Sequence, residues 1–201
     1  MNSEEIASEV KSWYGSETHW RNSVKTQQCV DYRIVDQGNL LRDKVVLNIG
    51  CFYPADEIHF GGLTRHWTSI DFTPEVISRC KLMNVGSHVE FRLMDARRME
   101  FRDHSFDVVL DFSSGDQMPE SHFNEVLLEV HRVLKTDGLF VITFANFNYF
   151  KETQVLGDYG YTRIYAPVEI EEKLKRGFKL IREEDLKSDR AGMVFQKLEV
   201  L

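Results

Sequence analysis

The chain has 201 residues, 42% of them hydrophobic and 28% charged, which suits one globular domain with a sizeable core. Its net charge of −7 argues against a general binder of nucleic acid or anionic membrane, since phosphate recognition needs a basic face. Cys29, Cys51 and Cys80 show no CxxC spacing and no histidine at ligand spacing, which points away from metal sites and disulfides and toward reduced thiols in a cytoplasmic protein.

The acidic start, Met1 to Glu5, has no apolar run behind it and does not read as a signal peptide. No apolar run approaches the roughly 20 residues that cross a bilayer. A helix is expected from Ser3 to about Trp13, with Ile6, Val10 and Trp13 on one face. The polar-aromatic stretch Tyr14 to Trp20 follows, then a second amphipathic stretch from about Val24 to Leu41. Residues 1–43 are expected to lie over the ligand edge of a sheet as a helical lid.

Val45-Val46-Leu47-Asn48-Ile49 is an apolar run that suits a strand buried on both faces, as in a parallel sheet. Gly50 follows at once and permits a sharp turn, and Pro54 is preset for a first helical turn. Strand, glycine turn and helix start together make a cradle for a nucleotide-like ligand. Trp67 to Asp71 reads as a second strand ending in a carboxylate about 20 residues after the turn, the place for a ribose-binding acid. Thr73 and Pro74 supply a cap and a first helical residue, which leaves Asp71 free for that task.

Val89 to Asp95 and Phe106 to Phe112 are further strands; the first ends in Asp95, and the second carries Asp111 at its end. Pro119 to Leu134 carries a continuous apolar stripe and is the clearest helix. Thr136-Asp137-Gly138 is expected to turn into a buried strand from Leu139 to Phe144. Asn146 to Tyr165 reads as irregular, polar and aromatic, Val168 to Arg176 as a helix, and Met193 to Val200 as the last strand of a closing hairpin. Alternating strands and helices predict an α/β fold: a Rossmann-like, doubly wound, mostly parallel seven-stranded sheet with an antiparallel C-terminal hairpin.

This motif order resembles the class I S-adenosylmethionine-dependent methyltransferases, in particular their small members, over about Val45 to Phe144. Asn48 to Pro54 stands at the family's first motif, Asp71 at its ribose acid, Asp95-Ala96 at its adenine motif and Phe106 to Asp111 at its fourth. The run Glu129 to Leu139 looks like the helix, turn and strand that the family places next. The first motif keeps only Gly50: Phe52 and Pro54 replace glycines and Asn48 replaces an acid, so no negative charge faces the cofactor's ammonium from Asn48.

The resemblance implies S-adenosylmethionine as cofactor, residues 45–144 as its binding core and residues 145–201 as a substrate region with the hairpin. It implies cofactor contacts from Tyr14, Asn48, Gly50, Cys51, Phe52, Asp71, Phe72, Asp95, Ala96 and Asp111. A small-molecule acceptor is expected, with no nucleic acid, membrane or metal, and a homodimer stays open. Among seven histidines His19 is the candidate general base, His131 reads as structural, and Arg163 suits an anionic or aromatic acceptor. Two other readings stand beside this one: a methyltransferase-fold scaffold with weak catalysis, and a nicotinamide-dependent oxidoreductase, against which the missing GxGxxG counts.

Overall fold

A computed structural model describes residues 3–16, 32–36, 39–83, 85–146, 153–157, 160–186 and 190–199. Seven strands form one sheet: β1 Val45–Ile49, β2 His66–Asp71, β3 Val89–Leu93, β4 Phe106–Phe112, β5 Leu134–Ala145, β8 Phe178–Leu186 and β9 Arg190–Lys197. Their order is β3-β2-β1-β4-β5-β9-β8. Strands β1 to β5 pair in parallel, and β9 enters antiparallel between β5 and β8. The expected mostly parallel sheet and antiparallel hairpin are therefore present.

The helices are α1 Ser3–Gly15, α2 Arg33–Asp36, α3 Ala55–Phe60, α4 Pro74–Leu82, α5 Glu120–Val133 and α6 Pro167–Leu174. Alternating side chains send Leu47, Ile49 and Val109 into a core shared with α5 and α6. Val46, Val108 and Leu110 go into a second core closed by Ile34, Val35 and Phe60. Strand order reverses between β1 and β4, and such a switch opens a crevice at the carboxyl ends of the strands.

Several local expectations differ. Among the described residues between Val24 and Leu41, only Arg33–Asp36 is helical, and Asn39 and Asp43 take positive φ at the turns that follow. Strand β5 begins at Leu134 rather than Leu139; Asp137 at φ +60 and a register shift opposite Phe106 and Val108 absorb the expected turn inside the strand. The segment expected to be irregular contains a hairpin, β6 Gln154–Gly157 with β7 Gly160–Arg163. Strand β9 starts at Arg190, which shortens the hairpin turn. Among the described residues no helix is long and apolar enough to cross a membrane.

Candidate functional site

The β1 turn is built on Gly50, whose φ is +73 and where an added Cβ would come within 2.7 Å of the Ser114 Cβ. A side chain there meets both strain and collision, so the backbone at this point stays bare. The Gly50 and Cys51 amides donate to the Ile70 carbonyl at 2.8 and 3.2 Å, which ties the turn to β2. Phe52 also has positive φ, +35, and its amide donates to Asp71 Oδ2 at 3.3 Å. Phe52 thus adopts a glycine-like conformation where the family places a glycine.

Asp71 ends β2, is 7% exposed, and takes the Thr73 amide on Oδ1 at 2.8 Å. Here the structure corrects an expectation. Thr73 makes no side-chain cap, and Asp71 itself satisfies the amide at the helix entry. Each carboxylate oxygen carries two lone pairs, so Asp71 retains acceptor capacity beside those two amides. Burial raises its carboxyl, opposed by the hydrogen bonds from Thr73 and Phe52.

Helix α1 lies beside this edge. Arg79 on α4 donates to the Ser16 and Gly15 carbonyls, and Lys11 Nζ stands 6.0 Å from the half-exposed Phe72 ring. Lys11, Ser12, Gly15, Ser16 and Glu75 line an open groove of about 320 Å³ between α1 and α4. At the other end of α1, Glu4 Oε1 is 3.8 Å from His122 Nε2. The Tyr14 side chain and all of His19 lie outside the described residues.

Asp95 follows β3, and its carboxylate is already engaged. Arg97 grips it through Nε at 3.1 and 3.0 Å and Nη2 at 2.7 Å, and the Arg97 amide adds a bond at 2.9 Å. These bonds take up the carboxylate's lone pairs, so an adenine amino group would compete with Arg97. The same guanidinium contacts His122 Nε2 at 3.0 Å. Ala96 is half-buried against the main core.

Asp111, one residue before the end of β4, is fully buried. Its Oδ1 accepts the Ser114 and Gly115 amides at 2.7 and 3.0 Å. Burial pushes its carboxyl up to about 7, with the Asp116 charge adding to the effect. Its observed work is to shape the loop that faces Gly50. Next to it, buried Asp116 accepts the Ala145 amide at 2.8 Å and Arg190 Nη1 at 3.1 Å, and Gln117 donates to Thr162 at 2.9 Å. This polar cluster, missed in the sequence, joins the short 3-10 turn Gly115–Gln117 to β7 and β9.

Asn48 does not face a ligand alone. Its Nδ2 donates to Glu57 Oε1 at 3.0 Å and Asp56 Oδ2 at 3.3 Å. Ser69 and Trp67 also donate to Glu57, and the Tyr32 hydroxyl donates to Asp56 at 2.7 Å. Cys51, buried beside Cys80, has its thiol pushed up by the Cys80 contact, by burial and by the Asp71 and Glu57 charges. The sequence signal for this cluster was the adjacent acid pair opening α3, where one acid would suffice for the helix dipole.

His131 stacks edge-on against Phe178, and His104 contacts the Leu134 carbonyl. Arg163 is ion-paired to Glu120 at 3.1 Å and lies over the Tyr165 ring, so its charge is already matched. Among the described residues no group of three His, Cys, Asp or Glu could hold a metal ion.

A doubly wound sheet with a bare glycine turn and an acid ending the next strand defines a Rossmann-like nucleoside-binding protein. Residues 47–142 match the family model described as a methyltransferase domain, and the fold is that of the class I S-adenosylmethionine-dependent methyltransferases. The chain is 32% identical over 108 residues to a fatty-acid O-methyltransferase of Mycolicibacterium smegmatis, covering 53% of this chain and 39% of that protein. It is 35% identical over 108 residues to a phthiotriol/phenolphthiotriol dimycocerosates methyltransferase of Mycobacterium tuberculosis, covering 50% and 37%. The chain thus matches under two fifths of the length of these relatives. Its fold is similar to the Burkholderia thailandensis 1,6-didemethyltoxoflavin N1-methyltransferase bound to its substrate and S-adenosylhomocysteine, with a TM-score of 0.80, 20% identity, and 99% and 92% coverage.

Proposed function

We propose that this protein binds S-adenosylmethionine and transfers its methyl group to a small-molecule acceptor by in-line displacement. The observation that carries the reading is the junction of the bare Gly50 turn with Asp71, linked through the Phe52 amide. When bound, the cofactor supplies a methyl group already activated by a positive sulfur. Asp71 would hold the ribose hydroxyls, and the backbone from Gly50 to Phe52 would receive the amino-acid end. Helix α1, anchored by Arg79, would close the edge and exclude water. The acceptor would enter beside the buried Asp116, Gln117 and Thr162 cluster at the ends of β4 and β5. The protein's main task is alignment of nucleophile, carbon and sulfur; an amine acceptor needs no base, whereas a hydroxyl acceptor would draw on a base such as His19.

One observation favours the second reading, a methyltransferase-fold binding protein with weak catalysis: Arg97 saturates the carboxylate expected to meet adenine. Calorimetric titration with S-adenosylhomocysteine decides between them. Micromolar binding that falls by about 100-fold or more in Asp71→Ala is expected, equal to losing two charge-assisted hydrogen bonds. No binding at millimolar ligand would overturn the first reading in favour of the second.

A further inference from the structure

Class I sites usually meet the cofactor's ammonium with an acid at the place Asn48 occupies, and this chain has removed that charge without removing negative charge from the neighbourhood. Glu57 is 1% exposed, and its Oε2 has no hydrogen-bond partner. Its other oxygen is held by Asn48, Trp67 and Ser69. Asp56, half-buried, is fixed between the Tyr32 hydroxyl and Asn48. Among the described residues no lysine or arginine pairs with either acid; the Tyr32 hydroxyl donates to Asp56, and exposed His59 stacks on Tyr32 at 4.9 Å. Tyr32 in turn comes within 6.3 Å of the Phe112 ring, next to Asp111 at the end of β4. The pair therefore lies against β1 and β2 in the first turn of the helix that follows the Gly50 turn, with Tyr32 reaching from it toward β4.

Two adjacent carboxylates, one buried and one half-buried, are costly without a cation unless something positive joins them. A buried acid left with an unpartnered oxygen is the counterpart of a missing donor. We infer that Asp56, with Glu57 behind it, receives the primary ammonium of the cofactor's amino-acid end, and that Asn48 has become the donor that holds the two acids in place. Charge that the family carries on the strand has moved one layer out, to the first turn of α3. Asp56 is here a binding residue, and Tyr32, Asn48 and Ser69 are positioning residues. This rests on the cofactor reading proposed above.

The test is titration of the full chain with two ligands, S-adenosylhomocysteine and its desamino analogue, which share the nucleoside, sulfur and carboxylate and differ only in the ammonium. Asp56→Asn is expected to weaken S-adenosylhomocysteine by about 10- to 100-fold, the worth of one charged hydrogen bond. The desamino analogue should change by less than about twofold. Tyr32→Phe, which keeps the ring packing and loses only the hydroxyl that orients Asp56, should show the same selectivity with a several-fold effect. It answers the question if Asp56→Asn does not fold. Equal loss for both ligands, or no loss for either, overturns the inference while leaving the cofactor site standing. Failure of the unaltered protein to bind either ligand overturns the cofactor reading itself, and the inference with it.

Discussion

Two sides of the sheet's ligand edge handle acids in opposite ways. On the β3 and α5 side every prominent carboxylate has an arginine: Arg97 holds Asp95, and Arg132 holds Glu129 and Asp103 while donating to the Met99 and Phe101 carbonyls. These acids are held below the usual carboxylate range: bonds from Arg132 lower Glu129, and bonds from Arg97 outweigh desolvation at Asp95. Around β1, half-buried Asp56 and buried Glu57 and Asp111 have amides, hydroxyls and an indole but no arginine or lysine among the described residues, whereas neighbouring Asp116 pairs with Arg190. Burial there pushes Asp56 to about 6 and Glu57 and Asp111 to about 7. Matched charges hold the scaffold together, while unmatched buried charges leave room for a positive ligand.

The comparison breaks most sharply at Arg132. Arg132→Ala removes bonds to two backbone carbonyls and two acids, and should cost about 2–4 kcal/mol in denaturant unfolding. A loss below about 1 kcal/mol would show that the paired side is not structural in this sense. On the unpaired side the sign should reverse. Glu57→Gln removes a buried charge and is expected to raise the stability of the ligand-free protein at pH 8 by roughly 1–3 kcal/mol, with little change at pH 5.

The pH dependence sharpens the same contrast. Asp56, Glu57 and Asp111 hold protons more tightly in the fold than in the unfolded chain. The folded state therefore binds more protons from about pH 4 to pH 7, and stability falls as pH rises through that range. Acids with lowered values, such as Glu129, act the other way and lose their contribution only as pH drops below about 4. The melting temperature of the ligand-free protein should peak near pH 5 and fall by several degrees toward pH 8, at about 2–4 °C per kcal/mol for a chain of this size. A flat profile would mean these acids are solvated in the native state. The smallest effect is expected for Arg97→Ala: its pair with Asp95 is half-exposed and screened by solvent, so the unfolding free energy should change by less than about 1 kcal/mol.

The apolar runs 45–49, 106–112 and 120–134 were readable because hydrophobic period alone separates a buried parallel strand from an amphipathic helix. The β6 and β7 hairpin was not, because its strands are short and carry turn-like residues such as Gly157 and Gly160. Asp71, Asp95 and Asp111 look alike in the sequence, each ending a strand, yet one faces backbone amides at the glycine turn, one faces Arg97 and one caps a loop. Neighbours two residues away, as for Arg97, were available to sequence reasoning; neighbours across the sheet were not.

By itself the amino-acid sequence determined the alternation of strands and helices in a doubly wound domain, the place of its glycine turn and the acid that follows it, since these depend on local period and spacing along the chain. Only the tertiary structure decided which acids are neutralised and which stand unmatched. That depends on whether a cation from another element reaches them, as Arg132 reaches Glu129 and none of the described lysines or arginines reaches Glu57. Charge pairing is a contact between elements, and the spacing of residues along one element does not encode it.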